Sequence, residues 1–231
     1  MISLCNGWEF TQEWNESFLL GEGAFETVRL PHNVQELPLH YVDHNSYQMI
    51  CGYRRKLELG EALQGKHLFL QFDGAAHIAT VYVNGSQLAH HRTGYTAFRV
   101  EITGAVQMGE NIIAVKLDTT ENPEVPPFGF VIDYLTYGGL YREVWLDVRE
   151  QSYIEDIFVT TSGDDADVQF TTQGADCCLL SIWDEDGIVT SKQTSLSPAR
   201  LHVPNVRKWC CEDPFRYTLK CELLDAYGKV C

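Results

Sequence analysis

The chain is short of basic residues: 17 Lys and Arg stand against 32 Asp and Glu in 231 residues, a formal net charge of -15. That balance argues against DNA, RNA or an anionic membrane surface as a partner, because little positive charge is available to offset phosphate. Long apolar runs are missing too, and none approaches the roughly 20 residues of a membrane helix. The opening Met-Ile-Ser-Leu-Cys-Asn-Gly-Trp-Glu-Phe has neither the basic start nor the apolar stretch of a secretory leader. No Gly-x-Ser-x-Gly elbow occurs, so a Ser-His-Asp hydrolase has no support. Residues 1–148 show no helical period sustained over several turns.

Cysteine is present but not in a metal-binding pattern. Of the eight, Cys177-Cys178 and Cys210-Cys211 are adjacent, not separated by two residues as zinc ligands are. With no leader and an ample apolar fraction of 45%, the expectation is reduced, structural thiols in a cytoplasmic protein. Neighbouring strand residues face opposite sides, so one Cys of each pair is expected in the core. By the same rule His90 and His91 diverge. His40, Asp43 and His44 fall in a surface loop and are read as solvated. No metal site is expected.

What the sequence does contain is strands. His67–Phe72, Ile78–Val83 and Ser86–His91 read as three of them, the last two joined by Asn84-Gly85, a strong hairpin signal. Gly52–Leu59, Gly94–Ile102 and Ile112–Asp118 read likewise, with Gly109-Glu110-Asn111 as a turn. Thr119–Ile132, with three Pro and one Gly, reads as a long loop of the kind that is usually functional or disordered. Short strands separated by turn signals predict a sandwich or jelly roll for residues 1–148. From residue 149 the texture changes, and about six strands in roughly eighty residues match the density of an immunoglobulin-like sandwich. The last residues look like a turn entering a strand. A sandwich that ends there leaves an unpaired edge, so the polypeptide is expected to be a fragment.

The stretch Asp133–Trp145, Asp-Tyr-Leu-Thr-Tyr-Gly-Gly-Leu-Tyr-Arg-Glu-Val-Trp, anchors the first region. Gly138-Gly139 permits positive φ or close backbone approach, and from Leu140 onward the residues alternate as a two-faced strand. Two readings stand at this point: a ligand rim with Asp133 as its carboxylate, or a sandwich corner with an incidental Asp. Arg142 and Glu143 read as structural, through an ion pair or a domain contact.

Several stretches together resemble glycoside hydrolase family 2, the β-galactosidase, β-glucuronidase and β-mannosidase group. They are Leu30-Pro31-His32-Asn33, Gly52-Tyr53-Arg54-Arg55, the run from Phe72 through Ala79-Thr80-Val81-Tyr82-Val83-Asn84-Gly85, His91-Arg92-Thr93-Gly94-Tyr95-Thr96-Ala97-Phe98, Gly138-Gly139-Leu140-Tyr141-Arg142-Glu143-Val144-Trp145 and Trp209 with Pro214–Leu219. They occur in the family's order over nearly the whole chain. The resemblance implies an all-β chain. A jelly-roll (galactose-binding-like) sandwich over 1–148 is followed by an incomplete immunoglobulin-like sandwich over 149–231.

It also implies a carbohydrate substrate such as a β-galactoside, homo-oligomers of the intact enzyme, and catalytic glutamates in a barrel that this chain lacks. A divalent cation, if one is used, would belong to that barrel. An aspartate just before the Gly-Gly signature reaches the sugar in such β-galactosidases, and Asp133 stands there. Tyr134 and Tyr137 are candidates to stack on or border the sugar. A first-domain loop Asn also contacts sugar in such enzymes, and Asn45 and Gln48 are the nearest candidates here, without its surrounding motif. The rival readings are a freestanding carbohydrate-binding module and a structural module with no sugar site.

Overall fold

The computed structural model describes residues 1–36, 39–40, 43–126, 128, 137–175 and 177–231, with the side chain of residue 44 left aside. The chain is all-β and divides into two compact units, Met1–Val148 and Arg149–Cys231.

The first unit holds β1 (Ile2–Ser3), β2 (Trp8–Thr11), β3 (Glu26–Val28), β4 (Ile50–Leu59), β5 (His67–Phe72), β6 (Ile78–Val83), β7 (Ser86–His91), β8 (Phe98–Glu101), β9 (Gly109–Asp118) and β10 (Val144–Arg149). One sheet runs β1-β10-β5-β8 and the other β3-β2-β4-β9-β6-β7. Between them lies one apolar cluster that includes Trp8, Phe10, Tyr53, Phe72, Val115 and Leu117, each no more than 1% exposed. Burying a side chain of this class contributes about 1.5–3 kcal/mol, so the two sheets are held chiefly by these inward rows. The pattern is plainest in β6, where buried and half-buried residues alternate throughout.

β4 is covered on both faces. Tyr53 enters the core, while Arg54 on the opposite face is 5% exposed. The Arg54 guanidinium bonds the Glu9 carboxylate and donates to the carbonyls of Phe18 and Glu22 at 2.5 and 3.4 Å. It thereby fastens the short 3₁₀ turn Glu16–Leu20 over the sheet.

The β6–β7 hairpin turns on Asn84 and Gly85, both with positive φ (49° and 80°), the backbone that Asn-Gly favours. The Asn84 side chain also ties the hairpin to its neighbours. It donates to Ala105 O and Asn111 Oδ1 and accepts from Ile112 N, each at 2.9 Å.

Three expectations need correction here. Gly109 and Glu110 open β9 rather than forming a turn, because the reversal is made earlier, at Thr103–Ala105. The strand expected over Gly94–Ile102 is confined to Phe98–Glu101. The strand expected from Leu140 begins at Val144, and Arg142 and Glu143 before it are exposed. Residues 138–143 bond to loops instead of to a ladder.

The second unit has β11 (Tyr153–Ser162), β12 (Asp165–Gln173), β13 (Cys177–Asp184), β14 (Gly187–Thr194), β15 (Ala199–His202) and β16 (Thr218–Leu224). They form the sheets β11-β12-β15 and β14-β13-β16. Val168, Cys178, Leu180, Ile182, Leu201 and Leu223 make its core. Cys178 is fully buried and Cys177 only partly so, as strand alternation requires. Cys210 and Cys211 are both exposed. The expected alternation fails for that pair because it sits in an irregular segment with no strand geometry to alternate.

Candidate functional site

The Gly138-Gly139 turn is built by close approach from three directions. Gly138 N donates to Asn33 Oδ1 at 3.0 Å, and its carbonyl accepts from Val34 N at 2.9 Å. Gly139 exchanges two 3.0 Å backbone bonds with Ala76, and Leu140 O accepts from His32 N. A β-carbon on Gly138 would lie 2.6 Å from the Thr119 side chain. Only glycine fits there. The turn thus locks the 32–34 loop, the 75–77 connection and the end of β9 into one platform, and presents the tyrosines that flank it.

Tyr137 stands on this platform, half-buried, with its ring 5.4 Å from that of Tyr141. Tyr141 packs edge-on against Tyr95 at 6.4 Å and donates its hydroxyl to Gly94 O at 2.7 Å. Burial pushes the Tyr141 phenol up, against the opposing pull of the Arg142 guanidinium. Arg142 lies over the Tyr141 ring at 5.2 Å and donates to the carbonyls of Asp73 and Tyr95, both at 3.2 Å. Its role is therefore to fasten loops through their carbonyls, as a structural residue. Beside it, Trp145 Nε1 donates to Asp73 Oδ2 at 2.9 Å.

His77 lies under the same platform, 6% exposed, with Nδ1 unpartnered among the described residues. Burial lowers its pKa, outweighing the opposite influence of Asp118. The two carboxylates tied into this cluster already have structural work. Asp118 Oδ1 accepts from Thr120 N and Oγ1 at 2.9 and 2.6 Å, and Asp73 accepts from Trp145. The arrangement suits ring stacking and hydrogen bonding to hydroxyls.

Of the residues singled out from the sequence, Tyr137 is on this platform, whereas Asp133 and Tyr134 lie outside the described residues. Asn45 and Gln48 are exposed on the segment around a 3₁₀ turn, His44–Tyr47, that Asp43 caps by accepting from Asn45 N. Sequence reasoning passed over Tyr95, Tyr141 and His77 as site residues. Their signal was present: Gly94-Tyr95 and Gly139-Leu140-Tyr141 belong to the quoted motifs, and these motifs converge here. Among the described residues no cluster of His, Cys, Asp and Glu could hold a metal ion.

Comparison with known proteins adds an independent line. Residues 26–125 match the family described as "Glycosyl hydrolase 2 galactose-binding domain-like". The chain is 32% identical over 225 residues to a β-galactosidase of Thermoanaerobacter pseudethanolicus, covering 90% of this chain and 30% of that protein. It is 36% identical over 167 residues to a β-galactosidase of Thermoanaerobacterium thermosulfurigenes, covering 71% of this chain and 23% of that one. The chain thus spans less than a third of the length of these relatives. Among solved structures, a β-glucuronidase of Ruminococcus gnavus superposes with a TM-score of 0.78 over 98% of this chain and 42% of that one. Its identity is 22%, a likeness of fold alone.

Proposed function

Because the chain belongs to glycoside hydrolase family 2 and corresponds to its N-terminal region, we propose that it is the non-catalytic, sugar-side part of an enzyme hydrolysing terminal β-glycosides, most like a β-galactosidase. The observation that carries the reading is the 32%-identical alignment to a β-galactosidase that takes in 90% of this chain and 30% of that protein.

Retaining hydrolysis needs two carboxylates about 5–5.5 Å apart, one to protonate the leaving oxygen and one to attack carbon. In this reading both belong to a barrel domain outside these 231 residues, and a divalent cation, where used, would be held there. The first unit borders the substrate. Asp133 accepts hydrogen bonds from sugar hydroxyls, and Tyr134 and Tyr137 offer ring faces to the apolar face of the pyranose. The second unit, read as an immunoglobulin-like sandwich, supports the barrel. Homo-oligomers and a cytoplasmic setting with reduced thiols complete the proposal.

A β-glucuronide substrate is the second reading, supported by a β-glucuronidase of Bacteroides fragilis that is 33% identical over 165 residues. Assay of the intact enzyme with p-nitrophenyl β-galactoside and β-glucuronide separates them. The proposal expects kcat/KM at least tenfold higher for the galactoside, and no hydrolysis of either by the 231-residue chain alone. The opposite preference would assign the glucuronide. Galactose binding with no hydrolysis by any form would instead make this a binding module.

A further inference from the structure

Asn-Gly occurs twice in the chain, as Asn6-Gly7 and Asn84-Gly85. Glycine has no side chain to shield its amide nitrogen, so that nitrogen can reach the side-chain carbonyl carbon of the asparagine before it. Whether it does depends on how the asparagine is held. Asn84 donates Nδ2 to Ala105 O and Asn111 Oδ1 and accepts from Ile112 N at Oδ1, each at 2.9 Å. Both ends of its amide are engaged, and swinging Cγ onto Gly85 N would break all three bonds. Asn6 is the opposite case. It lies in the exposed bend between β1 and β2, and among the described residues neither its side chain nor Gly7 N has a hydrogen-bond partner. Gly7 has φ of 74°, and no atom beyond its chain neighbours lies within 4 Å of where a β-carbon would stand.

We infer that Asn6 is a site of spontaneous covalent modification, converting to aspartate and isoaspartate, whereas Asn84 is protected by the fold. Gly7 N attacks Asn6 Cγ. The N–Cγ bond forms, the Cγ–Nδ2 bond breaks, and Nδ2 leaves as ammonia with the proton lost from the Gly7 amide. One solvent water then opens the succinimide. Cleavage at Cγ leaves aspartate, and cleavage at the main-chain carbonyl leaves isoaspartate, whose backbone runs through the side-chain carbons. Amide and water become acid and ammonia, and no oxidant or cofactor is consumed. Either product adds a negative charge. Isoaspartate also lengthens the main chain by one carbon, in a bend whose two ends are seated in the core. Leu4 and Cys5 before it and Trp8 after it are buried, and Trp8 Nε1 donates to Leu4 O at 2.6 Å across the bend. The extra carbon therefore loosens the seat of Trp8. None of this depends on which sugar the intact enzyme takes.

Incubation of the folded 231-residue chain at mildly alkaline pH, followed by peptide mapping with fragmentation that separates the two acids, tests it. Conversion at Asn6 is expected at least tenfold faster than at Asn84. In urea, where only the shared Asn-Gly chemistry remains, the two rates should come within threefold of each other. Asn6→Gln should remove the signal at that position and leave Asn84 unchanged. Conversion at Asn6 no faster than at Asn84 in the folded chain overturns the inference. So does a tenfold gap that persists in urea, which would trace the difference to flanking sequence and not to the fold. The isoaspartyl form, isolated by chromatography, should unfold at a lower midpoint than Asn6→Asp, which carries the same charge on an ordinary backbone. Equal midpoints would contradict the loosening of Trp8.

Discussion

A β-carbon on Gly139 would stand 2.5 Å from the carbonyl oxygen of His32. The same residue has φ of +125° and would also press within 2.8 Å of the Tyr53 hydroxyl. Steric room and backbone conformation both demand glycine, so the turn is fixed where it holds Tyr137 and Tyr141. Gly139→Ala is expected to destabilise the first unit by about 3 kcal/mol or more, combining backbone strain with displaced core groups. Urea unfolding measures this, and a loss under 1 kcal/mol, about the scale of a relieved glycine entropy term, would show the platform to be pliable.

Arg54 offers a second stability test. Its buried guanidinium serves the Glu9 carboxylate and two carbonyls of the segment covering β4. Arg54→Ala leaves Glu9 without its partner and is expected to cost about 3–5 kcal/mol. A neutral result in thermal unfolding would mean the 3₁₀ segment is held by its apolar contacts alone.

The pH response has a sign that can be worked out. Burial lowers the pKa of His77 and His32 below the ordinary 6.5. The unfolded chain therefore takes up these protons first as pH falls. Their contribution to stability is complete above about pH 6.5 and is lost as pH drops through the depressed folded values. His77→Gln should flatten that slope between neutrality and pH 5. Asp167, lowered by its hydrogen bonds from Arg200, acts further down, its contribution being lost only below the ordinary 3.8. An unchanged slope in His77→Gln would remove His77 from the account.

Thiol labelling reads the cysteine arrangement. Cys210, Cys211 and Cys231 are exposed, while Cys5, Cys51 and Cys178 are buried. Burial pushes Cys51 and Cys178 up, and holds the half-buried Cys221 up to about 12. The thiolate is the reactive form, so the three exposed sites should react with a disulfide reagent well before these. Fast reaction of Cys178 in the folded chain would contradict the packing of the second unit.

The strands at 67–72, 78–83 and 86–91 were legible because alternation and turn residues agree there with the final packing. The errors fall where backbone serves a neighbour other than a ladder. Gly94 and Tyr95 give their carbonyls to Tyr141 and Arg142, and so the strand waits until Phe98. Cys210-Cys211 belongs to a loop shaped by the Arg207–Asp213 fork, a contact across six residues that periodicity cannot show. Around the candidate site, Tyr137 was readable from its neighbourhood to the glycine pair. The meeting of Tyr141 with Tyr95 was not, because long-range convergence of two motifs has no local signature.

The central proposal is that Asp133 and Tyr137 border substrate in the intact family 2 glycosidase. Steady-state kinetics of Asp133→Ala and Tyr137→Ala in the intact enzyme, on p-nitrophenyl β-galactoside, test it most directly. The account predicts a kcat/KM at least tenfold lower in each, about 1.4 kcal/mol of lost transition-state stabilisation, with wild-type unfolding midpoints. Unchanged kinetics in both variants would contradict it.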